Sequence, residues 1–164
     1  MTDHDTSPTT PLHADPARNT PVDVNQRAIA SIFEEEQLEY RIEGDGDGAI
    51  VRSGFVNAAI VVALDSDHVV FEALWRGELP TDNAAEVLFA VNEYNQTHFA
   101  PTLRFFENEQ HLAVSGIRSL DITHGASHNQ LGAFIVSSIE ATLEAFQFLA
   151  QSFPAAVTWE EQNS

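Results

Sequence analysis

Apolar residues recur at helical spacing in three separate parts of the chain. The first of these helices is predicted to begin in the Thr-Pro-Val-Asp segment at residues 20–23, because Thr can cap a helix, Pro suits its first turn and Asp favours its positive end. Three glutamates at residues 34–36 end it. The second helix begins at residues 80–82, and the third spans residues 127–152.

The segments between these helices carry the features of β-strands. A Gly- and Asp-rich turn at residues 44–48 separates two β-prone segments and indicates a hairpin. Residues 58–64 form a nearly unbroken apolar run, typical of a central strand, and residues 68–75 form the next strand. Residues 102–106 and 111–117 indicate a second hairpin. The order α-βββ-α-ββ-α predicts an α+β fold, with three helices on one side of an antiparallel sheet of about five strands.

Both ends of the chain are predicted to lie outside the folded domain. Residues 1–19 are rich in Thr, Asp and Pro and contain almost nothing apolar, so burial cannot offset the entropy lost on ordering them. We expect a disordered N-terminal tail at residues 1–19, a domain at residues 20–154 and a C-terminal tail at residues 155–164.

Charge excludes some classes of partner. The chain has 7 Lys+Arg, all of them Arg, against 25 Asp+Glu, which gives a formal net charge of −18. Seven scattered cations cannot form the positive patch with which proteins bind nucleic acids or anionic membranes. The acidity serves either solubility or the steering of a basic protein partner.

Composition also bears on location and cofactors. Cysteine is absent, so the chain has no disulfide, no thiol nucleophile and no cysteine-based zinc site. No apolar run approaches the roughly 20 residues of a membrane helix, and the N-terminus lacks the pattern of a signal peptide. We therefore expect a cytoplasmic protein without a cofactor.

Two segments have the residue types of metal sites but the wrong spacing. The acidic run at residues 43–48 resembles the start of a calcium loop, but Gly54 stands where that loop needs a bidentate Glu. His124 and His128 are four residues apart, but Gly125 and a predicted cap at Ser127 place the first of them before the helix. We therefore predict no metal site, and we find no motif of an activated nucleophile, so no catalytic residues are predicted.

Asn92 and Asn95 are the first candidate binding residues. With Leu88 and Val91 they are predicted to lie on the inward stripe of the second helix. Buried amides need hydrogen-bond partners, so they either bond to backbone groups nearby or contact a bound peptide or small ligand.

Four further candidates lie on predicted strands. Trp75 and Arg76 close one strand, and Trp and Arg are the residue types that dominate protein interfaces, although Trp75 also suits the edge of a core. Phe105 and Phe106 are consecutive, so one of them points away from the helices. An apolar sheet face left uncovered would be a partner site.

Four segments together resemble the YbjN-like family. They are the strand end Ala73–Pro80, the helix end Val91–Pro101 with its Asn-x-x-Asn pair, the segment Asp121–Leu131, and a last helix closing at Pro154. The resemblance implies a fold like that of type III secretion chaperones and a cytoplasmic protein without enzymatic activity. It makes the two asparagines recurrent without assigning them a role.

The resemblance favours a protein-binding or chaperone-like regulatory protein, of the kind described as a sensory-transduction regulator, with an unidentified protein partner. By analogy with those chaperones, we expect a homodimer and a partner bound by the open sheet face or its edge strand. The alternative is a small-molecule-binding module whose pocket lies between sheet and helices and is floored by Asn92 and Asn95.

Overall fold

The computed structural model describes residues 16–159. The helices of this part of the chain are α1 (Gln26–Glu35), α2 (Ala84–Thr97) and α3 (His128–Ser152). Its strands are β1 (Arg41–Glu43), β2 (Ile50–Phe55), β3 (Ala58–Asp65), β4 (His68–Trp75), β5 (Thr102–Glu107) and β6 (Leu112–Asp121). Short 3-10 helices occupy Pro16–Asn19, Gly46–Gly48, Thr81–Asn83 and Pro154–Ala156.

The strands form one antiparallel sheet in the order β1-β2-β3-β4-β6-β5. The predicted α+β class and antiparallel sheet are confirmed. The sheet has six strands rather than about five, because both arms of the first hairpin are strands, and four strands therefore precede α2.

One face of the sheet is buried beneath helices. Along β4, Val69, Phe71, Ala73 and Trp75 are at most 2% exposed and belong to the core. The residues between them, such as Leu74, point to the opposite face, because successive side chains of a strand alternate. The core lies between this sheet and α1, α2 and α3.

α3 supplies the largest helical share of the core. A reciprocal capping box starts it: the Ser127 hydroxyl accepts from the Gln130 N–H at 3.0 Å, and the Gln130 side chain accepts from the Ser127 N–H at 2.8 Å. Its buried apolar residues are Leu131, Phe134, Ile135, Ile139, Ala145, Phe146 and Leu149. Within the described chain α3 is the one helix long and apolar enough to cross a membrane, but core helices of soluble proteins satisfy the same criteria.

α1 begins later than residues 20–23. Its N-cap is Asn25, whose side chain accepts from the Ala28 N–H at 2.8 Å. Val22 instead forms an antiparallel bridge with Ala126, with N–H···O distances of 3.2 and 3.1 Å. The predicted start is therefore wrong, because this bridge holds residue 22 in an extended conformation. The predicted end at residues 34–36 agrees with a helix that closes at Glu35.

The inward stripe of α2 also differs from the predicted one. The buried residues are Val87, Ala90, Val91 and Tyr94, whereas Leu88 and Asn92 are exposed. The helix is rotated by about one residue, or roughly 100°, relative to the predicted stripe. Leu88 and its neighbour Phe89 are both left in solvent, so apolar spacing did not define the buried face of α2.

The ordered chain extends past both predicted domain boundaries. Arg18 pairs with Glu35 of α1 at 2.6 Å. Ala156 is buried and accepts a hydrogen bond from the Glu78 N–H at 2.9 Å, and the ring of Trp159 meets that of Trp75 edge-on at 6.1 Å. The segment 155–159 therefore packs on the core instead of forming part of a tail. The disorder predicted for residues 1–15 falls outside the described residues.

Gly77 leaves room for the largest buried side chain. A Cβ placed on Gly77 would lie 2.3–2.5 Å from three ring atoms of Trp75, which is itself only 2% exposed. Any side chain here must displace that ring from a close-packed core.

We predict that Gly77→Ala lowers the free energy of unfolding by about 1–3 kcal/mol, because the extra methyl group overpacks the Trp75 site. Gly48→Ala is the matched control, since a Cβ there meets nothing within 4 Å. Urea denaturation of both variants measures the effect. Equal midpoints for the two variants would contradict the packing argument.

Candidate functional site

The structure separates Trp75 from Arg76. Trp75 lies inside the core, so it contributes to folding and is not available as an interface residue. Arg76 is exposed, and its Nε donates to the Phe55 carbonyl at 3.1 Å. Of this pair, only Arg76 is accessible to a partner.

Arg76 lies at an open cavity that gathers cations. The cavity has a volume of about 670 Å³ and is also lined by Arg41 and Arg52, so it holds three of the seven Arg. Glu43 forms salt bridges with Arg41, at 2.8 Å, and with Arg52. Glu43 is thus one carboxylate paired with two guanidinium groups. This end of the sheet is therefore less acidic than the net charge of −18 for the whole chain suggests.

Phe105 and Phe106 lie on opposite sides of the sheet, as the alternation predicts. Phe105 packs partly buried against the core, whereas Phe106 is 44% exposed on the open face. Phe106 is therefore the accessible member of this pair.

The open face is the side of the sheet that carries no helix among the described residues. Its small or apolar side chains include Val61, Ala63, Val70 and Ile117, which are half-buried, and Leu74 and Phe106, which are exposed. One ion pair crosses it, between Arg104 and Glu72 at 2.9 Å. A surface of this kind suits an extended segment of a protein better than a small molecule.

Asn95 stabilises the outer edge of β5. Its side-chain amide donates to the Leu103 carbonyl at 2.8 Å and accepts from the Leu103 N–H, also at 2.8 Å. The amide thus imitates one residue of a neighbouring strand and satisfies both main-chain groups of Leu103. The backbone-bonding interpretation is correct for Asn95.

Asn92 has no such role. Asn92 is exposed on α2, so the predicted burial of its amide is wrong. The cause is the rotation of α2 by about one residue relative to the predicted stripe. The two asparagines do not form the floor of a common pocket, and neither lines any of the surface cavities described here. The small-molecule alternative therefore loses the residues on which it was based.

The candidate metal segments form no ligand cluster among residues 16–159. The acidic run at residues 43–48 forms the end of β1 and a 3-10 turn of the first hairpin. Nε2 of His128 lies 2.9 Å from both carboxylate oxygens of Glu35, and so links α3 to α1. The hydrogen bond from His128 holds the pKa of Glu35 below its usual range, with Arg18 adding to the effect.

Two other groups have displaced pKa values. Hydrogen bonds from the hydroxyl and the N–H of Thr123, at 2.6 and 2.8 Å, lower the pKa of Asp121. Burial raises the pKa of Tyr94, whose ring stacks on that of His98 with centroids 3.8 Å apart. The local hydrogen bonds of Asp121 and the burial of Tyr94 account for the two shifts in pKa.

We predict that Asn95→Ala lowers the free energy of unfolding by about 1–3 kcal/mol, because it leaves the N–H and C=O of Leu103 without partners at a part-buried edge. Asn92→Ala is the matched control on the same helix and should change stability by less than about 0.5 kcal/mol. Urea denaturation of both variants measures the effect. A larger loss of unfolding free energy for Asn92→Ala than for Asn95→Ala would refute the structural role assigned to Asn95.

We predict that Glu35→Gln is slightly destabilising near neutral pH, by less than about 1 kcal/mol because the pair is partly solvent-exposed. Its folded-state pKa lies below its unfolded value, so the contribution of Glu35 is present above the unfolded pKa and is lost as the pH falls through the folded one. The gap in unfolding free energy between the native chain and Glu35→Gln should thus close in acid. Glu36→Gln is the control, because the side chain of Glu36 forms no salt bridge with a described residue.

Comparison with solved structures supports the fold. The crystal structure described as "YbjN, a putative transcription regulator from E. coli" is similar with a TM-score of 0.68 at 10% identity, over 82% of this chain and 96% of that one. A chain of the HopA1–SchA chaperone–effector complex is similar with a TM-score of 0.50 at 15% identity, over 77% of this chain and 96% of that one. At these identities the likeness shows the fold alone.

Comparison with curated proteins finds no match. The model of the YbjN family, described as "Putative bacterial sensory transduction regulator", matches residues 25–151. That span runs from the cap of α1 to the last turn of α3 and so includes the whole sheet. The resemblance noted in the sequence is confirmed, and this chain belongs to the YbjN family.

Proposed function

We propose that this protein is a non-enzymatic, chaperone-like regulator that acts in the cytoplasm by binding a segment of another protein. The observation that carries the proposal is the open face of the sheet, which exposes Leu74 and Phe106 among half-buried apolar neighbours. Monomeric proteins cover most such surfaces or use them for binding. The likeness in fold to a chain of a chaperone–effector complex agrees with this proposal.

The charge distribution is consistent with a protein partner. A net charge of −18 opposes binding to phosphate backbones and attracts basic surfaces from a distance. The apolar side chains of the open face would supply contact area, while the net negative charge would increase the rate of encounter with a basic partner. The homodimer implied by the family resemblance stays a prediction.

We predict that the native chain, used as bait for affinity capture from bacterial cytoplasm, retains a protein partner. The Leu74→Asp variant should lose this partner, because the new charge on the open face would have to be desolvated against an apolar segment. Leu88→Asp is the matched control, since Leu88 is similarly exposed, at 48% against 39% for Leu74, but lies on α2. Proteins retained by the native chain and by Leu88→Asp are identified by mass spectrometry.

If no protein is retained specifically, or if Leu74→Asp retains the same protein with unchanged affinity, the open face is not the partner surface. Retention of a small molecule in place of a protein would support the alternative function.

A further inference from the structure

β6 is longer than the strand beside it. It pairs with β4 as far as Asp121, opposite His68, but with β5 only as far as Ile117, opposite Thr102. Residues Arg118–Asp121, which we name the β6 notch, therefore have a strand on one side and none on the other among the described residues. At about 3.3 Å per residue the notch is roughly 13 Å long.

The direction of its main-chain groups follows from two hydrogen bonds on the other side of β6. The N–H of Ile122 donates to the Asp67 carbonyl at 2.6 Å, and the N–H of Leu112 donates to the Leu79 carbonyl at 2.8 Å, both on the β4 side. Main-chain groups of a strand alternate in direction, so even-numbered residues of β6 point toward β4. Ser119 and Asp121 therefore direct their N–H and C=O groups into the notch.

Two other positions at the sheet edges are protected. At the outer edge of β5, Asn95 occupies both main-chain groups of Leu103. At the opposite edge, β1 has only three residues, and two of them are the charged pair Arg41 and Glu43. Short, charged strands are a usual protection of sheet edges against unwanted pairing. The β6 notch also carries two charged residues, Arg118 and Asp121, but no side chain of a described residue hydrogen-bonds the main-chain groups that Ser119 and Asp121 direct into it.

A cavity lies on each face of the sheet beside the notch. The cavity on the helix side, of about 420 Å³, is lined by Arg118, Leu120 and residues of α3 that include Phe134. The cavity on the open face, of about 540 Å³, is lined by Ile117, Ser119 and Phe99, which is 97% exposed. A strand added at the notch would direct alternate side chains into these two cavities.

Arg118 gives the helix-side cavity its chemistry. Its guanidinium donates to the hydroxyls of Ser137 and Ser138, at 2.9 and 3.2 Å, and lies 5.3 Å from the centre of the Phe134 ring. It forms no salt bridge with a described residue, although the chain has 25 acids. Both hydrogen bonds use one nitrogen, so further donors of the fork remain for a carboxylate.

We propose that the β6 notch binds an extended segment of a partner protein by strand addition, with an acidic residue opposite Arg118 and an apolar residue on the open face against Phe99. Ser119 and Asp121 would contribute up to four main-chain hydrogen bonds, which fix the register of the segment. This inference rests on the proposed function and names the place and the chemistry of binding.

The test uses a phage-displayed library of eight-residue peptides, selected on the full chain. We expect enriched peptides to carry an acid and an aromatic or large aliphatic residue an odd number of positions apart, because such residues point to opposite faces of a strand. Ser119→Pro removes one N–H at an edge position where proline can be accommodated, and should weaken binding at least tenfold. Ser119→Ala keeps that N–H and should bind as the native chain does.

Hydrogen exchange by NMR provides a measurement that does not depend on a substituted protein. In the free chain the amides of Ser119 and Asp121 should exchange quickly, and those of Arg118 and Leu120, which face β4, slowly. Saturation with an enriched peptide should slow the exchange of Ser119 and Asp121 selectively.

The inference would be overturned if the library yielded no specific binders, or if the selected peptides bound Ser119→Pro as tightly as Ser119→Ala. It would also be overturned if those peptides left the hydrogen exchange of the Ser119 and Asp121 amides unchanged. Protection of these two amides before any peptide is added would show that another part of the chain already fills the notch. None of these outcomes removes a partner captured through Leu74, so the proposed function is tested separately.

Discussion

Burial of only one face of the sheet is the constraint on which this structure depends. β4 pairs with β3 and β6, and its residues Val69, Phe71 and Trp75 form the floor on which the helices pack. Because side chains alternate along a strand, this floor commits Val70, Leu74 and their neighbours to the other face. The open face is thus a direct consequence of the way in which the core is built.

The same arrangement creates sheet edges, and the chain treats them differently. Asn95 reaches from α2 to satisfy Leu103, so a side chain takes the place of a missing strand. β1 is short and charged. β6 continues past the start of β5 and leaves its last four residues without a partner strand on that side within residues 16–159. Differences in strand length, and not a dedicated loop, place the notch beside the open face.

None of the charged side chains described in residues 16–159 is fully buried. Glu35 of α1 pairs with Arg18 of the 3-10 helix Pro16–Asn19 and with His128 of α3. These contacts link the three elements at a partly exposed site. Arg118 contacts hydroxyls and an aromatic ring at the notch. In a chain with so few cations, the position of each Arg has a large influence on where an acidic residue of a partner can bind.

The sequence alone determined the fold class, the three helices and the alternating strands, because apolar periodicity reports directly which kind of element can bury its side chains. It also placed Phe105 and Phe106 on opposite faces. Tertiary contacts decided the rest. The bridge between Val22 and Ala126 delayed the start of α1, and packing against the sheet rotated α2 so that Asn92 faces solvent while Asn95 meets Leu103. Strand ends, and therefore the β6 notch, depend on which residues pair across the sheet, and local patterns do not contain that information.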